Sequence, residues 1–182
     1  MSRSSFAEIP IIDLGPLRGT PADRAELARR VESVCHHVGF FVAVDHGVDD
    51  SVIGAVFEFM HRFFSLPIEQ KRMIDKRRSP HFRGWEAEGS EYTNDRPDIR
   101  EQIDVWSEWP TSDPDDGPSY LRLLGPNQWM REDVLPGHRE VTLDWMRQCG
   151  ELSDRLLGLV ALGLGLDESY FADIFAGRPM SL

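Results

Sequence analysis

Gly39-Phe40-Phe41-Val42-Ala43-Val44-Asp45-His46-Gly47-Val48 is the stretch whose reading decides the fold. Phe40 to Val44 is an unbroken apolar run of strand length, rich in aromatic and β-branched side chains. Such a run predicts a strand buried on both faces, one that needs sheet neighbours. Asp45-His46-Gly47 then turns the chain. Upstream, Ile9 to Leu14 reads as a short strand, with Pro10 fitting an edge or a strand start, and Gly15-Pro16 breaks it. Between the two strands, Thr20-Pro21 opens a helix with a hydroxyl cap and a proline in the first turn. Leu27, Val31, Val34, Cys35 and Val38 share one face of it, and Gly39 stops it. Downstream, Asp50 or Ser51 caps a second helix with Ile53, Val56, Phe57, Met60, Phe63 and Phe64 on its apolar face. Ser65-Leu66-Pro67 ends that helix.

Periodicity fades from Arg72 to Arg100, where polar residues dominate. A connection this long inside a compact domain is functional or mobile rather than idle. Strand-like alternation returns at Gln102 to Trp106, and Thr111 to Ser119 is an Asp- and Pro-rich surface loop. A long helix is predicted from about Gly137 to Leu164, with Val141, Trp145, Cys149, Leu152, Leu156 and Val160 on its inner face. Its last third is apolar nearly all round, which calls for cover on more than one side. A short helix from Glu168 to Phe175 follows. Strands and helices in this order make an α+β chain.

The 182 residues carry a net charge of −11, which argues against nucleic acid or an anionic membrane as a partner. The basic group Lys71, Arg72, Lys76, Arg77 and Arg78 is broken by Asp75 and reads as a solvated helix end and loop. No apolar run is long enough to span a bilayer and no signal-peptide core follows Met1, so the cytoplasm is expected. Cys35 and Cys149 read as reduced, buried thiols. An iron site of the two-histidine, one-carboxylate kind needs three converging ligands. Only His138-Arg139-Glu140 has the usual His-x-acid spacing, and no histidine follows it. It is expected at a solvent-exposed helix start, with no metal role. Of the six histidines, His81 alone lies in the long polar loop and is the one candidate for function; His36, His37, His46 and His61 read as structural or solvated. Glycine-rich phosphate loops and a nucleophile elbow are absent from the sequence. The residues alone show no complete active site.

Seven short strings, in order from residue 9 to 166, carry a resemblance. They are Ile9-Pro10-Ile11-Ile12-Asp13-Leu14; Gly39-Phe40-Phe41 with Asp45-His46-Gly47-Val48, where Asp45 replaces a usual Asn; and Phe63-Phe64-Ser65-Leu66-Pro67 with Glu69 and Lys71. Arg83-Gly84-Trp85, Glu101 with Ile103-Asp104, Leu124-Gly125-Pro126-Asn127-Gln128-Trp129, and Leu135-Pro136-Gly137 complete the set. The chain resembles the N-terminal region of the isopenicillin N synthase-like family of non-haem Fe(II)/2-oxoglutarate-dependent dioxygenases.

That resemblance implies the helix-rich N-terminal portion of a double-stranded β-helix (jelly-roll) oxygenase, whose short strands join a jelly-roll core not present here. Residues 8–110 would hold the strand-helix-strand-helix unit and the substrate-mouth loop. Residues 111–182 would hold a loop and the supporting helix that leads to the core. The complete enzyme would use Fe(II) and 2-oxoglutarate with O2 to oxidise a small organic metabolite, and its iron and 2-oxoglutarate ligands would come after Leu182. Neither group is expected to be held by this chain alone, whose partner would be its C-terminal jelly-roll half. The loop from His81 to Tyr92 is similar to the segment lining the substrate mouth in relatives. There His81, Arg83 and Trp85 are the candidate substrate-binding residues, Arg83 as a clamp on a carboxylate and Trp85 as an aromatic wall. The competing expectation ties Arg83 to Glu88, Glu91 or Glu101, and Glu101 is expected to be structural. A truncated, non-catalytic binding module, or a helper chain completing another subunit's site, stands as the alternative function.

Overall fold

The computed structural model describes residues 8–110 and 118–175. They pack as two units, one of residues up to Asp49 together with those from Gln148, the other from Asp50 to Arg147.

In the first unit, strand β1 (Ile11–Asp13) and strand β2 (Val42–Val44) pair in parallel, Ile11 opposite Val42 and Asp13 opposite Val44. Helix α1 (Pro21–His37) makes the crossover. Its start is a reciprocal capping box: the Thr20 hydroxyl accepts from the Asp23 N–H, and the Asp23 carboxylate accepts from the Thr20 N–H at 2.8 Å. Ile12, Leu14, Leu27, Ala28, Val31 and Leu159 form the buried core, with Phe41 and Ala43 packed against it.

The strand expected to be buried on both faces is buried on one. Phe40, Val42 and Val44 are 49%, 47% and 41% exposed, and Ile9 and Ile11 are more than half exposed. The reason is the pleat: alternate residues point to opposite faces, and the helices of this unit cover only the face carrying Ile12 and Ala43. The outer face of β1–β2 is therefore an open apolar surface among the described residues. Cys35, expected to be buried, is exposed. Cys149 is half-buried, and that burial pushes its thiol pKa up.

In the second unit, helix α2 (Asp50–Phe64) is followed by the short α3 (Ile68–Lys71). The core is Phe59, Phe63, Ile74, Trp85, Met130 and Leu135. Phe57, expected on the apolar face, is 58% exposed, whereas Phe59 is buried because its ring stacks on that of His138. The polar stretch from Arg72 to Arg100 contains strand β3 (Gly84–Glu86) and the hairpin strands β4 (Tyr92–Thr93) and β5 (Arg96–Pro97). Strand β6 (Gln102–Asp104) pairs antiparallel with β3, Trp85 facing Ile103. Helix α4 (His138–Gly163) matches the predicted long helix and gives its first ten residues to this unit and the rest to the other. The short α5 (Ala172–Phe175) closes the described chain in the first unit. The surface loop expected from Thr111 falls largely outside the described residues.

Candidate functional site

Three anchors shape the loop entering β3. The Ser79 hydroxyl accepts from the His81 N–H at 3.1 Å. The His81 ring Nδ1 donates to the Arg122 carbonyl at 2.8 Å, which fixes the Nδ1–H tautomer. The Arg83 guanidinium donates to the carbonyls of His81 and Leu123, the latter at 2.5 Å, and lies 4.3 Å over the Trp106 ring. His81, Arg83 and Trp85 are all buried, with Arg83 wholly so. Burial pulls the Arg83 pKa down and the charge of Asp104 opposes that pull.

The structure thus brings the three predicted residues together but turns their polar atoms inward. Arg83 pairs with backbone carbonyls, not with Glu88, Glu91 or Glu101, and its Nε is buried without a partner. Trp85 donates its indole N–H to Glu101 at 2.8 Å. Glu101 also grips the Lys71 ammonium with both oxygens, at 2.9 and 2.7 Å, while Lys71 donates to the Phe64 carbonyl. Glu101 is the structural partner expected of it. On the other face of β3–β6, the Lys76 ammonium contacts Glu86 at 2.7 Å and Asp104 at 2.6 Å, with the Phe82 ring 3.8 Å above it.

The string from Gly125 to Trp129 holds this loop from behind, which the sequence reading did not see. Gly125 leaves room for the His81 ring, which any Cβ there would overlap. Asn127 pairs with both backbone groups of Trp106, accepting at 2.9 Å and donating at 2.7 Å. The Gln128 amide donates to the carbonyls of Arg83 and Asp75 at 2.7 and 2.9 Å. Trp129 donates to Glu108 at 2.6 Å, and Glu108 also holds Arg139. The signal was the density of amide and glycine residues in a segment too short for a helix. Gly125→Ala is expected to lower stability by roughly 2–3 kcal/mol, as overpacking against an anchored ring does. Its urea midpoint, compared with that of wild type, measures the loss.

His138 corrects a second expectation. It starts α4 but is 1% exposed, stacked on Phe59 at 4.1 Å and meeting Trp129 edge-on at 5.1 Å. A residue at a helix start is buried here because aromatic rings close over it. Its Nδ1 accepts weakly from the Met130 N–H at 3.4 Å, and its Nε2 is buried without a partner. This enclosure pushes its pKa down to about 4. The unfolded chain takes up that proton near pH 6.5, so the His138 contribution is complete above pH 6.5 and is lost as pH falls toward 4. The difference corresponds to roughly 3 kcal/mol. Denaturant titrations at pH 7 and pH 4 are expected to show that loss in wild type and a flatter acid limb in His138→Phe.

Nothing about His138 suits a metal: its ring nitrogens face Met130 and an apolar cage. No group of three histidine, cysteine or acidic side chains converges for an ion among the described residues. These residues do not fit iron. Also among them, no helix is long and apolar enough to cross a membrane.

Comparison with known proteins places these features. Residues 9–132 match the family model described as non-haem dioxygenase in morphine synthesis, N-terminal. The chain is 36% identical over 171 residues to the 2-oxoglutarate-dependent dioxygenase frbJ of Dothideomycetidae sp., covering 94% of the chain and 45% of that protein. It is 31% identical over 169 residues to a homoarginine-6-hydroxylase of Arabidopsis thaliana, 86% of the chain and 45% of the relative. It superposes, with a TM-score of 0.73, on the crystal structure of a full-length Neurospora crassa protein in complex with alpha-KG. That match has 26% identity over 90% of this chain and 49% of that one. The chain spans about half the length of the relatives it matches.

Proposed function

We infer, from a chain that belongs to the non-haem dioxygenase N-terminal family, that the protein it comes from is an Fe(II)/2-oxoglutarate-dependent oxygenase acting on a small organic metabolite. The observation that carries this reading is the match to the Neurospora crassa alpha-KG complex, at a quarter sequence identity over nearly the whole chain. Decarboxylation of 2-oxoglutarate to succinate and CO2, with O2, supplies the oxidising power in such an enzyme. The described residues of this chain do not fit iron, and no chemical step is assigned to them.

Their work is support and shape. The outer face of β1–β2, with Ile9, Ile11, Val42 and Val44, is the surface on which the jelly-roll half docks, since an open apolar sheet face of this kind requires cover. Within this reading residues 8–110 carry the mouth of the site and 111–182 its support. His81, Arg83 and Trp85 serve the substrate mouth by holding its loop rigid, as their inward hydrogen bonds favour. Relatives differ in the small molecules in their names, homoarginine in one and, in a crystal complex of the Neurospora crassa protein, thymine. The substrate class is therefore left at small metabolites.

Two measurements test this. Calorimetric titration of 2-oxoglutarate in the presence of Fe(II) is expected to show one-to-one binding to the full gene product and no binding to the 182-residue chain. In addition, Ile11→Asp with Val42→Asp is expected to leave the 182-residue chain folded, because both side chains face solvent. The same pair should weaken the full gene product by several kcal/mol by burying charge at the docked face. Equal thermal shifts in the two proteins would remove the docking claim.

A further inference from the structure

Within the first unit, α1 and the end of α4 touch at Gly163, where a Cβ would stand 2.9 Å from the Glu32 Cβ and 3.0 Å from the Ala28 carbonyl oxygen. Beside this contact lies a cavity of about 210 Å³, lined by Glu32, Cys35, His36, Val160 and Leu164. The spacing explains the lining. Glu32, Cys35 and His36 stand at i, i+3 and i+4 on one face of α1, and Val160 and Leu164 stand four residues apart, joined by a Leu164 N–H to Val160 carbonyl bond of 3.0 Å. At roughly 30 Å³ for each water-sized group, the space holds about seven heavy atoms.

Its chemistry is apolar on one side and negative on the other. Leu164 is 60% exposed, a large apolar side chain that folding leaves uncovered. The Glu32 carboxylate has no ion pair or hydrogen bond among the described residues, and Arg29, one turn earlier, is taken by Glu26. Helix α1 ends at His37 and α4 at Gly163, so the negative ends of two helix dipoles lie at the cavity. The net charge of −11 adds to that field.

We propose that this cavity binds a small primary alkylammonium, its carbon chain against Val160 and Leu164 and its ammonium on the Glu32 carboxylate. The proposal stands apart from the dioxygenase reading. An anion would meet Glu32 and both helix ends as repulsion. A hard divalent cation would need several oxygen ligands, and no such group converges among the described residues. An alkylammonium needs one carboxylate and an apolar wall for its stem, which is what the cavity offers.

The exposed Cys35 thiol is a built-in reporter of occupancy. The test follows its alkylation by iodoacetamide in the full gene product, read by peptide mass spectrometry, with n-hexylammonium, hexanoate or ethylammonium present. Hexylammonium is expected to slow Cys35 alkylation saturably in the millimolar range while the Cys149 rate stays unchanged. Hexanoate has the chain without the positive charge and ethylammonium the charge without the chain, so both should leave Cys35 as reactive as before. Glu32→Gln and Leu164→Ala alter exposed side chains and should keep the fold. Each should raise the half-saturating concentration of hexylammonium by about threefold or more. Absence of protection, equal protection by hexanoate, slowing that extends to Cys149, or an unchanged half-saturating concentration in either variant would each overturn the proposal.

Discussion

Gly84→Ala is expected to cost the protein roughly 4 kcal/mol, enough to leave much of it unfolded at 37 °C. Gly84 opens β3 with φ at +115°, a backbone region closed to residues with a Cβ. A Cβ there would also overlap the Ile74 carbonyl oxygen and the Gln128 amide nitrogen. Neither neighbour can yield cheaply. Ile74 is in the core, and the Gln128 amide donates to three carbonyls, those of Ile74, Asp75 and Arg83. Backbone strain and steric overlap therefore add, which places the change among the rare large single-residue effects. Urea unfolding followed by tryptophan fluorescence measures it. A midpoint within about 0.5 M of wild type, roughly 1 kcal/mol at common urea slopes, would contradict the assigned tightness of this turn.

Lys76→Met is expected to cost about 3 kcal/mol at pH 7 and much less near pH 4. The Lys76 side chain is 8% exposed, and around its ammonium stand Glu86, Asp104 and, at 3.9 Å, Glu91. Burial opposes its charge, but hydrogen bonds and charge from Asp104 and Glu86 prevail and raise its pKa. Met keeps the stem's packing and removes the charge, leaving carboxylates facing one another in a partly enclosed space. Breaking a buried ion cluster from one side costs about 3–5 kcal/mol, and the partial exposure of the acids favours the low end. Without the ammonium the charged carboxylates repel one another, and acid that neutralises them relieves the repulsion, so the variant's deficit against wild type must shrink on acidification. Unfolding curves at pH 4 and pH 7 decide it, and a deficit that grows in acid would show that Lys76 is not the counter-charge of this cluster.

Much of the first unit was legible because its signals are local. Thr20-Pro21 is a helix start wherever it lands, and the capping box formed with Asp23 follows from the same residues. The apolar run Phe40 to Val44 announced β2 but not which face is covered, since cover depends on elements distant in sequence. In the second unit the alternation from Gln102 to Trp106 announced β6, but its partner β3 lay where the periodicity fades. Gly84-Trp85-Glu86 and Gln102-Ile103-Asp104 carry polar residues on one face because Lys76 supplies a buried counter-charge, and a single sequence does not show that pairing. The same non-locality hid the burial of His138, whose cover comes from Phe59 and Trp129.

For the candidate site, the sequence marked the chemistry-bearing residue types of the loop but not the sense of their side chains. Arg83 and Trp85 stood out as chemistry-bearing residue types, yet their inward anchors are carbonyls and a carboxylate elsewhere in the chain.

Succinate released from 2-oxoglutarate under Fe(II) and O2, assayed side by side for the full gene product and for the 182-residue chain, tests the dioxygenase reading most directly. Succinate is expected from the full product and none above the protein-free rate from the chain. Succinate from the chain alone, or none from the full product with iron and 2-oxoglutarate bound, would contradict the division of labour assigned to these residues.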